Sequence, residues 1–342
     1  MVKTMTQFAA TASDNTIQSR GRVSDILERT GLCDDFVAVE REMLERILSR
    51  SEVLHDAGVY TVRAGGKRLR VLLVLLAARL GTYDFGRAVH PAVAIELLHA
   101  ASLIHDDLVD HATSRRGQAT IHHTWDRNVA LALGDFLFGL AARELANEPD
   151  PRIIGFYVHA AQRMVEGELH PVTQILPFEA ASAQYFRKIS AKTAVLFEAA
   201  CKSGIAVCGG DERIIAALGT FGHELGMAFQ IVDDILDMTE AASMLGKPVG
   251  NDLREGTITL PLIHAVQRST DPRLRSLGVG PVPHDGIADL IELIVEAGGI
   301  EASYGTAREC IDRALAAIAP FADPQIYQAL SDVTTIVLHR RS

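Results

Sequence analysis

Two stretches of this 342-residue chain carry the same pattern, in which three aspartates interrupt an otherwise apolar helical segment. The first motif is Asp106-Asp107-Leu108-Val109-Asp110 and the second is Asp233-Asp234-Ile235-Leu236-Asp237. At about 3.6 residues per turn, the first and last aspartate of each motif share one helix face. Like charges at this spacing destabilise a helix by about 0.2–0.5 kcal/mol unless a cation lies between them. A solvated helix end is the alternative for one copy, but two copies in apolar surroundings favour a cation site.

The chemistry of these motifs indicates Mg²⁺. Carboxylate oxygens are hard ligands that suit this ion, which keeps several waters and is commonly completed by substrate phosphates. Two apolar helices with matching acidic ends predict clusters that face each other across a helical bundle. The sequence therefore predicts a magnesium-dependent site for a phosphorylated substrate.

Composition narrows the class of protein. A formal net charge of −10 argues against binding to the nucleic-acid backbone, which requires a basic surface. The four cysteines lack metal-type spacing and are typical of reduced core residues in a cytoplasmic protein. No secretory segment starts the chain, and no uninterrupted apolar run reaches the roughly 18 residues of a membrane span. We therefore expect a cytoplasmic location with at most peripheral membrane contact.

Apolar spacing along the chain predicts an all-α fold. Helical periodicity begins near Val23, and no β-branched run alternates cleanly enough for a strand. The polar residues 1–22 are expected to form a mobile tail. No clear linker divides the remainder, so we predict one helical domain over residues 23–342.

Basic residues stand where they could serve an anion. Gly65-Gly66-Lys67-Arg68-Leu69-Arg70 precedes an apolar helix, and a helix start offers free N–H groups to a phosphate. Arg115 and Arg116 follow the first acidic motif, and a diphosphate bridged to the aspartates by Mg²⁺ would satisfy both arginines. Lys192 lies within an apolar helix and Lys247 within a Gly/Pro loop. The alternatives are a surface salt bridge for the arginines, a snorkelling Lys192 and an exposed Lys247.

These motifs, with Lys192-Thr193 and Phe229-Gln230, occur in the order and spacing of the trans-isoprenyl (polyprenyl) diphosphate synthases. The chain is identified as a member of that family by this resemblance, which covers about residues 40–310. The resemblance implies a bundle of the isoprenoid synthase type around a deep central cavity, usually in a homodimer. It also implies condensation of isopentenyl diphosphate with an allylic diphosphate, using three Mg²⁺ ions.

The resemblance implies a role for each matching residue. Asp106 and Asp110 would hold two Mg²⁺ ions and Asp233 a third, supported by Asp107, Asp234 and Asp237. The allylic diphosphate would be bound by Arg115, Lys192, Thr193, Gln230 and Lys247. Isopentenyl diphosphate would be bound by Lys67, Arg70, His99 and Arg116. The residues expected to be essential for catalysis are Asp106, Asp110, Asp233, Lys192 and Lys247.

Product length is expected to depend on the turn before the first motif. In the family, bulky aromatic residues there stop chain growth at about fifteen or twenty carbons, whereas this chain has Ala101 and Ser102. We therefore predict a product longer than twenty carbons, with Phe156 or Tyr157 on another helix closing the tunnel lower down.

Other functions stay open at this stage. A short-chain synthase, a regulatory subunit of a heteromeric synthase and a terpene cyclase on a related bundle are the alternatives. Loss of aspartates would mark a regulatory subunit, and both motifs are intact. The chain departs from the family pattern at Val71, at Asp126 and at Thr257, which stands where family members usually have a lysine.

Overall fold

The computed structural model describes residues 23–115, 117–169, 172, 174–239, 249–277 and 286–340. Within these ranges all regular secondary structure is helical except for one short hairpin, which confirms the predicted all-α fold. Residues 23–30 form helix α1. The helices that follow are α2 (Cys33–Arg46), α3 (Glu52–Arg63), α4 (Leu69–Ala78), α5 (Phe85–Val109), α6 (Ile121–Thr124), α7 (Arg127–Leu145), α8 (Pro151–Glu168), α9 (Phe178–Ile189), α10 (Val195–Val207), α11 (Glu212–Thr239), α12 (Asn251–Arg254), α13 (Leu260–Arg268), α14 (Pro272–Ser276), α15 (Ile287–Glu296), α16 (Gly299–Ile318) and α17 (Pro324–Leu338).

The centre of the bundle is built from helices that are apolar on most sides. Every residue of α4 except Arg70 is buried, and most of α10 is buried as well. A helix with apolar residues all round must be covered on all sides. Helix α10 accordingly packs against α4, α5, α8 and α11, and α11 also packs against α16. One cluster of buried residues extends from Val23 to Val337.

The two longest helices, α5 and α11, end in the two acidic motifs. By length and hydropathy alone both could cross a membrane, although the sequence offers no uninterrupted apolar run. The bundle buries 67% of the apolar window of α5 and 56% of that of α11. This degree of burial is typical of core helices.

The hairpin directly follows α5. Strand β1 (Ser114–Arg115) pairs antiparallel with strand β2 (Gln118–Ala119), with Arg115 opposite Gln118. Two-residue strands are too short to produce a sequence pattern, so they were not predicted. The hairpin matters because it returns Arg115 toward the acidic end of α5.

Candidate active site

A five-residue turn brings the two acidic motifs to one place. Ser190–Ala194 forms a π-helical turn between α9 and α10, an irregularity often found at functional sites. The side chain of Lys192 lies close enough to Asp106 of the first motif to oppose the rise in its pKa. Next to it, the Thr193 hydroxyl donates a hydrogen bond of 2.6 Å to the side-chain oxygen of Gln230, on the helix of the second motif. The turn is thus the bridge between α5 and α11.

A close approach of helices makes this bridge possible. A Cβ atom at Gly226 on α11 would lie 2.5 Å from the Cα of Ala194, which is too close for any side chain. Gly226 lies one helical turn before Gln230. The absence of its side chain therefore lets α11, which carries the second motif, pack closely against Ser190–Ala194.

The first aspartate of the first motif lies in a partly buried, acidic environment. Burial, together with the negative charges of Glu168 and Asp110, raises the pKa of Asp106 to about 6 against the opposing effects of Lys192 and Arg115. Glu168 also forms an ion pair with Lys192. A cation at Asp106 would relieve this unfavourable accumulation of negative charge.

The second aspartate of the first motif has a different task. Asp107 is only 6% exposed, and its two oxygens accept hydrogen bonds of 2.7 and 2.9 Å from the Nε of Arg115. A further contact joins the Nη2 of Arg115 to Asp107 at 2.6 Å. The pair fixes Arg115, one of the predicted ligands of the allylic diphosphate, beside the first acidic motif.

In the second motif, too, the second aspartate is buried and hydrogen-bonded to neighbouring side chains. Asp234 is 5% exposed and accepts hydrogen bonds from the Tyr185 hydroxyl at 2.6 Å and from the Gln230 amide at 2.9 Å. Burial raises the pKa of Asp234 to about 7, against the effect of both hydrogen bonds. Asp234 therefore orients Gln230, whose amide oxygen in turn accepts from Thr193.

The third aspartate of the second motif organises the next segment of the chain. The two carboxylate oxygens of Asp237 accept the backbone N–H groups of Asn251 and Asp252, each at 3.1 Å. These contacts form at the start of α12, after Gly250 in the left-handed conformation with φ 72°. They bring the Asp252 carboxylate to the motif, where burial and then Asp234 and Asp237 raise its pKa well above the usual range.

The first aspartate of the second motif meets the C-terminal end of the described chain. Asp233, with its side chain 48% exposed, forms an ion pair with Arg340. The guanidinium of Arg340 also lies 4.0 Å from the ring centroid of Phe229. A cation therefore already occupies one side of Asp233.

The residues predicted to bind isopentenyl diphosphate lie on two neighbouring elements. Lys67 is in the loop before α4, Arg70 is in the first turn of α4, and His99 is on α5. The guanidinium of Arg70 lies 4.6 Å from the ring centroid of Phe197. The ring of Phe197 lies 5.2 Å from that of Phe229, so Arg70 and Arg340 flank a pair of touching aromatic rings. Arg116 and Lys247 lie outside the described residues, and their predicted roles stay predictions.

The turn before the first motif carries two small side chains, and their predicted role in setting chain length stays a prediction. Ala101 is 2% exposed, and the Ser102 hydroxyl donates to the carbonyl of His99 at 2.9 Å. Farther from the first acidic motif, the hydroxyl of the buried Tyr157 donates to the carbonyl of Pro91 at 2.7 Å. Tyr157 thus joins α8 to the opposite end of α5.

The carboxylates fit a metal ion whose coordination is completed by water and substrate. Within the part of the chain that the structure describes, no three histidine, cysteine or acidic side chains lie together closely enough to hold an ion by themselves. Mg²⁺ commonly uses one or two carboxylates, water and substrate phosphate. Partly buried Asp106 with its raised pKa, exposed Asp110 and half-exposed Asp233 offer such oxygens.

Several site residues were missed by sequence reasoning because their partners are remote in the chain. Tyr185 stands 49 residues from Asp234, and Arg340 stands 107 residues from Asp233. Glu168 and Asp252 lie close to residues that were singled out, but nothing in their own spacing marks them. Only the packing of the helices assigns them to the site.

The chain is similar to known proteins over most of its length. Residues 51–278 match the family model described as polyprenyl synthetase. The chain is 39% identical over 287 residues to heptaprenyl diphosphate synthase component 2 of Geobacillus stearothermophilus, covering 83% of this chain and 89% of the relative. It is 33% identical to octaprenyl diphosphate synthase of Escherichia coli, covering 90% and 96% of the two chains. The structure of polyprenyl synthase from Caulobacter crescentus CB15, complexed with calcium and isoprenyl diphosphate, aligns with TM-score 0.84 and 32% identity over 94% of this chain and 98% of the other.

Proposed function

Because the chain belongs to the polyprenyl synthetase family, we propose that it condenses isopentenyl diphosphate with an allylic diphosphate to give an all-trans polyprenyl diphosphate. The observation that carries this proposal is the turn Ser190–Ala194, where Lys192 faces the first acidic motif and Thr193 contacts the helix of the second. A diphosphate placed at the turn could reach both motifs at once.

The proposed metal is Mg²⁺, with three ions in each active site. Asp106 and Asp110 would hold two ions and Asp233 the third, because their side chains are partly or largely exposed. Asp107 and Asp234 are buried, and both carboxylate oxygens of Asp237 accept backbone N–H groups. The family is metal-dependent, and one relative was crystallised with calcium and isoprenyl diphosphate. Bound Mg²⁺ would stabilise the negative charge that builds on the departing diphosphate.

The side chains around the metals would do the remaining work. Arg115 and Lys192 would bind the allylic diphosphate as its C–O bond breaks, supplying fixed positive charge where negative charge develops. Apolar helices would keep water from the carbocation. The double bond of isopentenyl diphosphate then attacks this carbon, and the new C–C bond is completed by loss of a proton to the released diphosphate. No protein nucleophile is required.

The proposed product is longer than twenty carbons. Relatives that cover most of the chain are named as heptaprenyl and octaprenyl diphosphate synthases. Ala101 and Ser102 are small where a short tunnel would need bulk. A short-chain synthase remains the alternative, and the lengths of the products distinguish the two.

The proposed assembly is a homodimer that uses the face formed by α7 and α8. Four apolar side chains with exposed fractions of 49–66% lie on these helices: Leu131, Phe138, Val158 and Val165. Exposed apolar patches of this kind mark interaction surfaces. A heteromeric assembly is the second candidate, since one relative is named component 2. Light scattering together with activity of the isolated protein separates these possibilities.

We also propose that the protein works in the cytoplasm. All four cysteines are free thiols, and three of them are buried. Reduced cysteines in the core are typical of that compartment. Fractionation of cells that produce the protein tests this directly.

One experiment tests the activity. The purified protein is incubated with labelled isopentenyl diphosphate, Mg²⁺ and each of several allylic primers, and the products are separated by chain length. Replacing Asp106 or Asp233 with Ala should reduce turnover by several orders of magnitude and leave the helical circular dichroism unchanged. Asp312→Ala, at an exposed aspartate outside both motifs, is the matched control and should keep full activity. Full activity in excess chelator would refute the proposal.

A further inference from the structure

Arg68 connects the loop before α4 to two neighbouring helices. Its Nη2 donates to the carbonyl of Val62 on α3 at 2.7 Å, and its Nη1 donates to the carboxylate of Glu96 on α5 at 3.0 Å. The side chains of Arg68 and Glu96 are only 13% and 5% exposed. A charge-assisted hydrogen bond shielded in this way is among the stronger polar contacts in a protein.

The backbone of Arg68 is held in a strained conformation. Its φ of 46° lies in the left-handed region, which among the described non-glycine residues is shared only with His111. A residue with a side chain pays on the order of 1 kcal/mol or more to stay there, and it does so only where its surroundings require it. The hydrogen bonds of the guanidinium to Val62 and Glu96, with a longer contact of 3.8 Å from its Nη2 to Glu40 on α2, hold the residue in this conformation.

The strained residue stands between functional side chains. Lys67 precedes it and Arg70 follows in the first turn of α4. On the other side of the ion pair, Glu96 lies three residues before His99 on α5, so the two share a helix face. The pair therefore joins the loop that carries Lys67 and Arg70 to the helix turn that carries His99.

We propose that the Arg68–Glu96 pair positions the subsite for isopentenyl diphosphate, with Arg68 and Glu96 acting as positioning residues that do not contact the substrate. This inference rests on the proposed function. The pair sets the spacing of two cationic side chains and one imidazole so that all three meet a single diphosphate. The allylic subsite around Lys192 and Arg115 is held by other contacts, so it does not depend on the pair.

The same bond type elsewhere in the protein provides a matched control. Arg46 on α2 donates to Glu144 on α7 at 2.9 Å, and the side chain of Glu144 is 2% exposed. This second pair also joins helices through a buried glutamate, but none of the predicted substrate ligands adjoins it. Any change in the enzyme that both Glu→Gln substitutions cause can therefore be attributed to lost stability and not to the substrate site.

The test compares Glu96→Gln with Glu144→Gln in the full-length enzyme. Glutamine keeps the size of the side chain and one acceptor oxygen while it removes the charge. Glu96→Gln should raise the KM for isopentenyl diphosphate roughly tenfold or more, the effect expected from weakening one charge-assisted hydrogen bond. The KM for the allylic substrate and the kcat should stay within about twofold of wild type, because the pair does not contact the allylic subsite. Glu144→Gln should leave both KM values unchanged.

Calorimetric titration with isopentenyl diphosphate alone gives a readout that does not need turnover. It should show the same loss of affinity for Glu96→Gln, and Arg68→Lys, which keeps the charge, should lose less affinity than Arg68→Gln. Equal rises in both KM values, no rise in either, or the same rise in Glu144→Gln would overturn the inference. If wild type binds isopentenyl diphosphate but forms no product, the proposed function fails, and the titration still decides on the role of the pair.

Discussion

Replacing Ala101 with Phe should shorten the product, because this position lies between the first acidic motif and the far end of α5. Ala101 is buried five residues before Asp106. A prenyl chain anchored by its diphosphate at Asp106 must pass this turn in order to grow. A phenyl ring here would block the tunnel close to the first acidic motif, whereas in wild type we expect the tunnel to end near Tyr157.

The size of the effect follows from helix geometry. The Tyr157 hydroxyl contacts the carbonyl of Pro91, ten residues before Ala101 on the same helix. Ten residues of α-helix span about 15 Å. An extended chain advances about 3.5 Å per three main-chain bonds, so an isoprene unit of four bonds covers about 4.7 Å. If the tunnel ends at position 101 and no longer near Tyr157, the product should therefore be about three isoprene units shorter.

The assay is the length distribution of products from wild type and Ala101→Phe with the same primer. Ser102→Ala is the control, since it changes the neighbouring residue without adding bulk and should leave the products unchanged. Overpacking of the core by the ring is expected to cost about 1–3 kcal/mol, so thermal unfolding is measured in parallel. The reasoning is refuted if wild type stops at twenty carbons or fewer, or if a folded Ala101→Phe makes products of unchanged length.

Three further predictions follow from the charged contacts. Asp107→Asn should weaken the contacts that hold Arg115 in place and raise the KM for the allylic substrate roughly tenfold, the effect expected from the loss of one charge-assisted hydrogen bond. An unchanged KM would contradict the role assigned to the pair. Burial raises the pKa of Asp106 to about 6 and that of Asp234 to about 7, so in the folded metal-free protein these two carboxyls bind more protons than they do in the unfolded chain between pH 4 and about 7. Its free energy of unfolding should therefore fall between pH 4 and about 7, and added Mg²⁺ should reduce this dependence; melting temperatures across that range test both statements. Arg340→Gln should increase the affinity for Mg²⁺ measured by calorimetry, because the guanidinium competes for its aspartate in the second motif, and an unchanged or weaker affinity would show that it does not compete.

The local features of this site could be predicted from the sequence. Helical periodicity around the two aspartate motifs depends only on neighbouring residues, and the structure places both motifs at the ends of long helices. The predicted neighbours Lys192 and Thr193 are on one turn that faces both motifs. The resemblance to polyprenyl diphosphate synthases is confirmed by the family match.

The partners of those residues could not be predicted, since they depend on how the helices pack. Nothing near Asp234 in the chain indicates that Tyr185 would contact it, and nothing near Asp233 indicates Arg340. The left-handed backbone of Arg68 is likewise invisible in sequence, where a glycine would have been expected at such an angle. Tertiary contacts select these conformations.

The two motifs share a division of labour that explains why each needs adjacent aspartates. In each motif the second carboxylate is almost fully buried and accepts hydrogen bonds from another element, Arg115 in the first motif and Tyr185 in the second. A carboxylate committed to such donors has fewer lone pairs for a cation. The first carboxylate of each motif is more exposed, and successive residues of a helix point about 100° apart, so it faces a different direction. One aspartate can therefore face the metal while its neighbour holds the surrounding side chains in place, a task that a single carboxylate could not perform in both directions.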